Sequence, residues 1–527
     1  MYSLIIGIQK ERMLKKMENR EQWGTRAGFL LAAVGSAVGL GNIWRFPYVA
    51  YDNGGGAFFI PYLFALLTAG IPLLIMEFTM GHKYRGSAPL SYARMHRRTE
   101  WIGWWQVGIA FVISTYYSVI IAWALAYTYF SIGLQWGNDT GGFLMAEYLQ
   151  RVDIVNGAAI GSVGSIVPGV FIPLVLVWVI ALGILFKGVK KGIEKANRIF
   201  IPTLLIMFLM IVIRALTLEG AVLGLEALFK PDWSKITSSE VWIAAYGQIF
   251  FSLSIAFAIM ITYSSYLPRK SDINNNAFIA AFSNSSVELL AGFGVFAALG
   301  FMATQANVPI EEVATAGIGL AFVVFPEILN SFPGLNGLFG VLFFGSLVFA
   351  GLSSLISIIE TFVAAVEDKF KVSRTKAVML GGGLSALISI LYATQGGLFF
   401  LDAIDYFINN FGVALAGLVS VVTVAWFLKK LSSLQDHANQ ISDLRTGLWW
   451  KICLGVVTPA VLGYMFIQNL VNNIRNNYEG YPTTFLLYSG WGVVIATILI
   501  GFVLASLKWA EKDLDIKTYS QGEGADD

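Results

Sequence analysis

The chain reads as an all-α integral membrane protein of twelve transmembrane helices, two of them interrupted in mid-span. Three observations predict this. Of 527 residues, 56% are hydrophobic and 13% charged, with a mean hydropathy of +0.68, which leaves too few charges to solvate a soluble surface of this size. Apolar runs long enough to cross a bilayer recur along almost the whole chain. One of them, in the stretch VGSAVGLGNIWRFPYVAYDNGGGAFFIP from Val34 to Pro61, is broken midway by Gly35, Gly39, Gly41, Asn42 and Arg45.

The runs lie at about 24–49, 57–80, 101–132, 169–186, 199–218, 241–266, 277–304, 335–366, 374–393, 403–428, 451–471 and 484–508, numbered here as spans 1 to 12. The N-terminus and alternate loops are basic, with Lys83, Arg85, Arg94, Arg97 and Arg98 in one and Lys187, Lys190, Lys191, Lys195 and Arg198 in another. Arg269 and Lys270, then Lys369, Lys371 and Arg374, and finally Lys429 and Lys430 continue the alternation. The intervening loops carry only Arg151, Lys230, Lys235 and Arg475, so the positive-inside bias puts both termini in the cytoplasm of a multi-pass cell-membrane protein. The first sixteen residues, MYSLIIGIQKERMLKK, lack the apolar core and cleavage site of a signal peptide. Met17 is a natural beginning, so residues 1–16 read as an extension that need not be native, and 509–527 read as a cytoplasmic tail whose acidic end, QGEGADD, is disordered.

Composition also excludes function classes. A net charge of +2 argues against a nucleic-acid partner, and the single cysteine, Cys453, in an apolar run, excludes an intrachain disulfide and a cysteine metal cluster. His82, His96 and His437 fall in polar stretches between spans, which leaves little material for a histidine-based catalytic centre, and no nucleophile and base pair stands within the spans. The chain is not read as an enzyme.

In lipid, unwound backbone leaves N–H and C=O groups unpaired at several kcal/mol each, so a break persists only where it lines a cavity or holds a ligand. A bend at a Gly-rich packing contact is the structural alternative. A second weak point, GQIFFSLSIAFAIMITY at 247–263, puts Ser252, Ser254, Ala256 and Ala258 in mid-span 6, although serines in membrane helices also bond back to the preceding turn. Breaks in spans 1 and 6 are the relation expected if spans 1–5 (about 24–218) and 6–10 (about 241–428) are inverted repeats, with spans 11 and 12 (about 451–508) appended.

REQWGTRAGFLLAAVGSAVGLGNIWRFPYVAYDNGGGAF, GQIFFSLS, NSSVELL, FAGLSSLISI and VEDKFKVSR, in this order, resemble the neurotransmitter:sodium symporter family, and its bacterial amino-acid transporters most of all. The likeness covers roughly residues 17–508. It implies the leucine-transporter fold and sodium-driven uptake of an amino acid by alternating access. It further implies two sodium ions, the first on the Ala37 carbonyl, Asn42, Ser252, Asn284 and the substrate carboxylate. The second would lie on the carbonyls of Gly35, Val38 and Ala350 and the hydroxyls of Ser353 and Ser354. Hard oxygen donors of this kind suit sodium, while ordinary interhelical hydrogen bonding is the alternative for Asn284, Ser353 and Ser354.

The resemblance places a substrate carboxylate at the amides of Leu40 and Gly41, a positive helix end, and at the Tyr117 hydroxyl. The ammonium would meet the carbonyls of Ala37, Phe251 and Ser252 and the Ser254 hydroxyl. Ile113, Tyr117, Phe251, Ser254, Phe257, Ser354 and Ile358 would surround the side chain without a charge, so the expected substrate is a neutral amino acid. Bacterial relatives often have glycines where this chain has Ala256 and Ala258, and the added methyls favour an aliphatic over an indole side chain. By the same resemblance Arg45 and Asp405 form an outer gate above a lid of Phe251 and Tyr117, and Arg20 and Asp368 an inner gate beside Trp23 and Tyr266. VPIEEVATAGIGLAFVVFPEILNSF, 307–331, is too broken to span and resembles the family's extracellular cap.

Glu288 occupies the position where chloride-dependent relatives carry a small polar residue and bind chloride near Tyr62, Gln248, Ser252 and Asn284. A fixed carboxylate there implies no chloride requirement, and a carboxyl that protonates on the empty return step implies proton export. A carboxyl merely hydrogen-bonded to Gln248 and Ser252 is the alternative. The reading is thus a sodium-coupled importer of a neutral, aliphatic or hydrophobic L-amino acid in a lipid bilayer, with a homodimer left open. A carrier of aromatic or other small amino-acid-like substrates, or a sensor of the same fold that binds without transport, are the competing readings.

Overall fold

The computed structural model describes residues 21–155 and 157–510, and these are all-helical, with no β-strand among them. Among the described residues ten helices are long and apolar enough to cross a membrane. In chain order, with the shorter helices that matter for the site, the elements are α1 (Arg26–Ala37), α2 (Leu40–Asp52), α3 (Gly56–Tyr84), α4 (Arg97–Gly133), α5 (Pro168–Leu185), α6 (Val189–Leu216), α7 (Ser239–Ser252) and α8 (Ile259–Ser264). They continue with α9 (Ile273–Ala306), α10 (Asn336–Phe370), α11 (Arg374–Ala393), α12 (Gly397–Phe427), α13 (Leu431–Ile441), α14 (Leu448–Gly480) and α15 (Thr483–Ser506). The bent pair α1 and α2 makes an eleventh span if taken as one, whereas α7 and α8, separated by six non-helical residues, stand outside that count.

Burial sorts these helices into layers. The most apolar stretch of α10 is 89% buried and that of α4 78%, and the two pack on one another at the centre. In α5, α6 and α15 the same measure is 33%, and Ile172, Val179, Ile206 and Leu499 point outward. In water so broad an apolar exterior would drive aggregation, but against lipid tails it costs nothing, so the periphery faces the bilayer. Short polar caps set the helix ends: the Thr25 side chain accepts the Gly28 amide of α1 at 2.9 Å, and Asp272 caps α9 through the Asn275 amide at 2.9 Å.

One sequence expectation changes here. His82 is not in a loop: it is buried in the last turn of α3, with Nδ1 2.9 Å from Nε2 of His437 on α13, and Nε2 3.0 Å from the Pro268 carbonyl. An apolar helix face continuing past Lys83 explains this, because the chain leaves α3 only at Arg85, which takes the left-handed conformation at φ 49°. Stretch 307–331 does contain helix, Ile310–Val313 and Gly317–Ser331, both below spanning length. Residues 1–16, Arg20 and the QGEGADD tail lie outside the described residues.

Candidate functional site

The site grows from two backbone breaks. Helix α1 ends at Ala37, Val38 turns to φ −74°, ψ 85°, Gly39 is extended, and α2 restarts at Leu40 with the axis bent by 57°. Glycine at 39 is set by crowding, since a Cβ there would come 3.1 Å from the Tyr117 hydroxyl and 3.4 Å from Ser354 Oγ. The amides freed by the break find partners: Gly39 N–H donates to Asn42 Oδ1 at 3.0 Å, and Leu40 N–H to the Tyr117 hydroxyl at 3.3 Å. The second break, residues 253–258 between α7 and α8, holds Ser254, Ala256 and Ala258 at φ 52°, 65° and 63°. Left-handed backbone costs such residues roughly 1–2 kcal/mol each, a cost the surroundings must offset. One offset is Glu77 of α3, a fully buried carboxylate whose Oε1 accepts the Ala256 amide at 2.9 Å.

Between the breaks runs a buried chain of neutral oxygens and amides. Asn42 Nδ2 donates to Asn284 Oδ1 at 2.8 Å, and Asn284 Nδ2 donates to Ser252 Oγ at 3.1 Å, linking α2, α9 and α7. One turn along α9, Glu288 is fully buried and accepts from the Tyr62 hydroxyl and from Gln248 Nε2 at 2.6 Å. The residues the sequence reading gathered around position 288 are therefore together.

A second group of oxygens lies on the other side of the first break. Ser354 Oγ of α10 is 3.4 Å from the Gly35 carbonyl and 3.3 Å from the Ser36 carbonyl, which Ser254 Oγ also approaches at 3.1 Å. Val38 and Ala350 pack in one small apolar cluster with Val34, Leu204, Ala280 and Val287. Ser353 is fully buried and donates to Asn197 of α6. The donors assembled in both groups are uncharged carbonyl, amide and hydroxyl oxygens, the chemistry that replaces the water shell of a hard monovalent cation. Above them Ile113, Phe257, Ser354 and Ile358 are buried and uncharged, while Tyr117 and Phe251 are half-buried.

Of the gate residues, Arg45 lies with its guanidinium 4.9 Å over the Phe251 ring. Asp405 is held by Asn409 Nδ2 at 2.8 Å, and no ion pair within 4.0 Å joins Arg45 to Asp405 among the described residues. The two charges act on one another at longer range. Asp368 accepts the Ser87 amide at 2.8 Å, while its expected partner Arg20 lies outside the described residues. Trp23 donates through Nε1 to the Tyr263 carbonyl at 2.8 Å and through its amide to the Tyr266 carbonyl at 3.2 Å. Three buried polar residues here were missed by the sequence reading: Glu77, Asn197, and Glu360, which accepts from Tyr266 Oη at 2.8 Å and Arg374 Nη2 at 2.7 Å. A lone carboxylate in an apolar run, LLIMEFTM or LISIIETFV, was the available signal.

The model of the sodium:neurotransmitter symporter family matches residues 20–147 and 145–511. An uncharacterised sodium-dependent transporter of Methanocaldococcus jannaschii is 42% identical over 93% of this chain and 98% of its own length. The human sodium- and chloride-dependent neutral and basic amino acid transporter B(0+) is 30% identical over 92% of this chain and 84% of its own. Among solved structures, MhsT in complex with L-phenylalanine superposes with a TM-score of 0.72 at 32% identity, covering 85% of this chain and 99% of that one. The protein is a multi-pass membrane protein that belongs to the sodium:neurotransmitter symporter family.

Proposed function

We propose that the protein is a sodium-coupled symporter that imports a neutral, hydrophobic L-amino acid by alternating access, without chloride. The observation that carries this reading is the junction of the α1–α2 break with the Tyr117 hydroxyl on one side and the Asn42–Asn284–Ser252 chain on the other. An amino-acid carboxylate at Leu40, Gly41 and Tyr117 would complete a first sodium site on the Ala37 carbonyl, Asn42, Ser252 and Asn284. Sodium and substrate then raise each other's affinity by the same factor. A second sodium would sit on the carbonyls of Gly35, Val38 and Ala350 and the hydroxyls of Ser353 and Ser354, tying α1 to α10. Glu288, buried among Tyr62 and Gln248, supplies the negative charge that a chloride would otherwise bring.

In this reading α1 with α2 is span 1 and α7 with α8 is span 6, giving twelve spans, two inverted repeats and cytoplasmic termini. Arg45 and Asp405 close the outer path, and Arg20 and Asp368 the inner one. Ala256 and Ala258 favour aliphatic substrates. A second reading, preference for an aromatic amino acid, is favoured by the likeness to MhsT, whose structure holds L-phenylalanine. Uptake into proteoliposomes under an inward sodium gradient tests both: leucine or valine should accumulate and outcompete tryptophan. Binding without accumulation would mark a sensor instead, and a preference for phenylalanine or tryptophan over every aliphatic amino acid would select the second reading.

A further inference from the structure

Asn197 stands beside the second group of oxygens and belongs to neither proposed ligand set. It lies near the start of α6, which packs on both α1 and α10, and it is fully buried. Its Oδ1 accepts the Ser353 hydroxyl proton, while its Nδ2 donates to the Ile193 carbonyl at 3.0 Å, which fixes the end of the amide that faces Ser353. A Cβ built on Gly35 would come 2.3 Å from Ser353 Oγ and 2.7 Å from Asn197 Oδ1, so both oxygens press on the same stretch of α1 backbone.

A hydroxyl that coordinates a cation must offer a lone pair and send its proton elsewhere. Ser353 has such an acceptor already fixed in place. We propose that Asn197 is a positioning residue of the second sodium site: its Oδ1 takes the Ser353 proton, turns the Ser353 lone pairs toward the ion, and so adds α6 to the helices that respond to sodium. This rests on the placement of the second sodium proposed above. Outer groups that orient a ligand in this way change metal affinity by about 10- to 100-fold when removed.

The test is a sodium titration of the thermal unfolding midpoint, using the full-length protein in detergent at constant ionic strength without amino acid. Lacking the substrate carboxylate, the first site is then short of a ligand, and the titration reports chiefly the second. Asn197→Leu, which keeps the shape but removes the acceptor, should raise the half-maximal sodium concentration by about 10-fold. Asn197→Ala removes the same acceptor by a second route should leucine not be accommodated. Asn197→Asp keeps the acceptor and should restore the titration. Ser353→Ala should weaken sodium as well, and Asn197→Leu should add nothing to it.

Three outcomes overturn the proposal. Asn197→Leu titrating like the wild type while Ser353→Ala loses the sodium response leaves the sodium where it is placed and removes Asn197 from it. Additive effects in the double variant mean that Asn197 does not act through Ser353. A Ser353→Ala variant with an unchanged sodium response overturns the placement of the second sodium, and this inference with it.

Discussion

Glu288→Ser removes a fully buried carboxylate and its two strongest contacts. The Tyr62 hydroxyl and Gln248 Nε2 each lose a charged acceptor, a loss of about 1.5–3 kcal/mol per bond before relaxation. The missing charge adds to this, since a unit charge several ångströms from sodium contributes about 2–3 kcal/mol at an effective dielectric near 20. At 1.4 kcal/mol per decade the charge alone should weaken sodium-linked binding on the order of 30- to 100-fold. A chloride ion entering the space left by the carboxylate would meet the same donors, the Tyr62 hydroxyl and the Gln248 amide. The assay is uptake into proteoliposomes with chloride or gluconate as the anion. Wild-type uptake should be equal in both, and Glu288→Ser should be nearly inactive in gluconate and partly restored by chloride. Wild-type transport that collapses without chloride, or a variant equally impaired in both anions, would show that Glu288 does not stand in for chloride.

Asn42→Ala cuts the chain to Asn284 and leaves the buried Asn284 Oδ1 without its donor, about 1–3 kcal/mol, so substrate affinity and its sodium dependence should fall together by roughly 10-fold or more in equilibrium binding. Ala256→Gly relieves a left-handed alanine at φ 65° and should stabilise the fold by about 1 kcal/mol while shifting competition toward larger side chains, read by unfolding midpoint and by tryptophan competition. His437, on α13 outside the spans, has its pKa pushed down to about 4 by burial first and then by the Lys83 and Arg85 charges. A lowered folded value means stability that is full above the unfolded pKa of about 6.5 and is lost as the pH falls toward 4. The midpoint at pH 5.5 should therefore report about 1 kcal/mol less stability from this half-buried group than at pH 7.5, and His437→Gln should flatten that slope.

The first break was legible because three glycines, an asparagine and an arginine together in a lipid-spanning run point to a site, where a bare packing bend would need only the glycines. The second was legible only as a weak point. Nothing in SLSIAFA announces that Ser254, Ala256 and Ala258 take left-handed backbone, because that geometry is imposed from outside, in part by the Glu77 carboxylate on the Ala256 amide. The same holds for the residues that were missed. Asn197 matters through Ser353, 156 positions away, and His82 through His437, 355 positions away, and such pairings arise only when helices pack. Motif likeness gathered Glu288, Asn284 and Ser252 around one spot, and Asn284 Nδ2 donates to Ser252 Oγ with Glu288 one turn along the same helix. It could not give the direct partner of Asp405, where side-chain rotamers place Asn409 on the carboxylate and Arg45 on the Phe251 ring.

The central claim is that sodium and an amino-acid carboxylate complete one another's site. It is tested most directly by measuring amino-acid affinity across sodium concentrations and sodium affinity across amino-acid concentrations on the same purified protein. Each ligand should tighten the other by the same factor, on the order of 10-fold or more, and Asn42→Ala should shrink both factors together. Amino-acid binding of full strength in sodium-free buffer would contradict it.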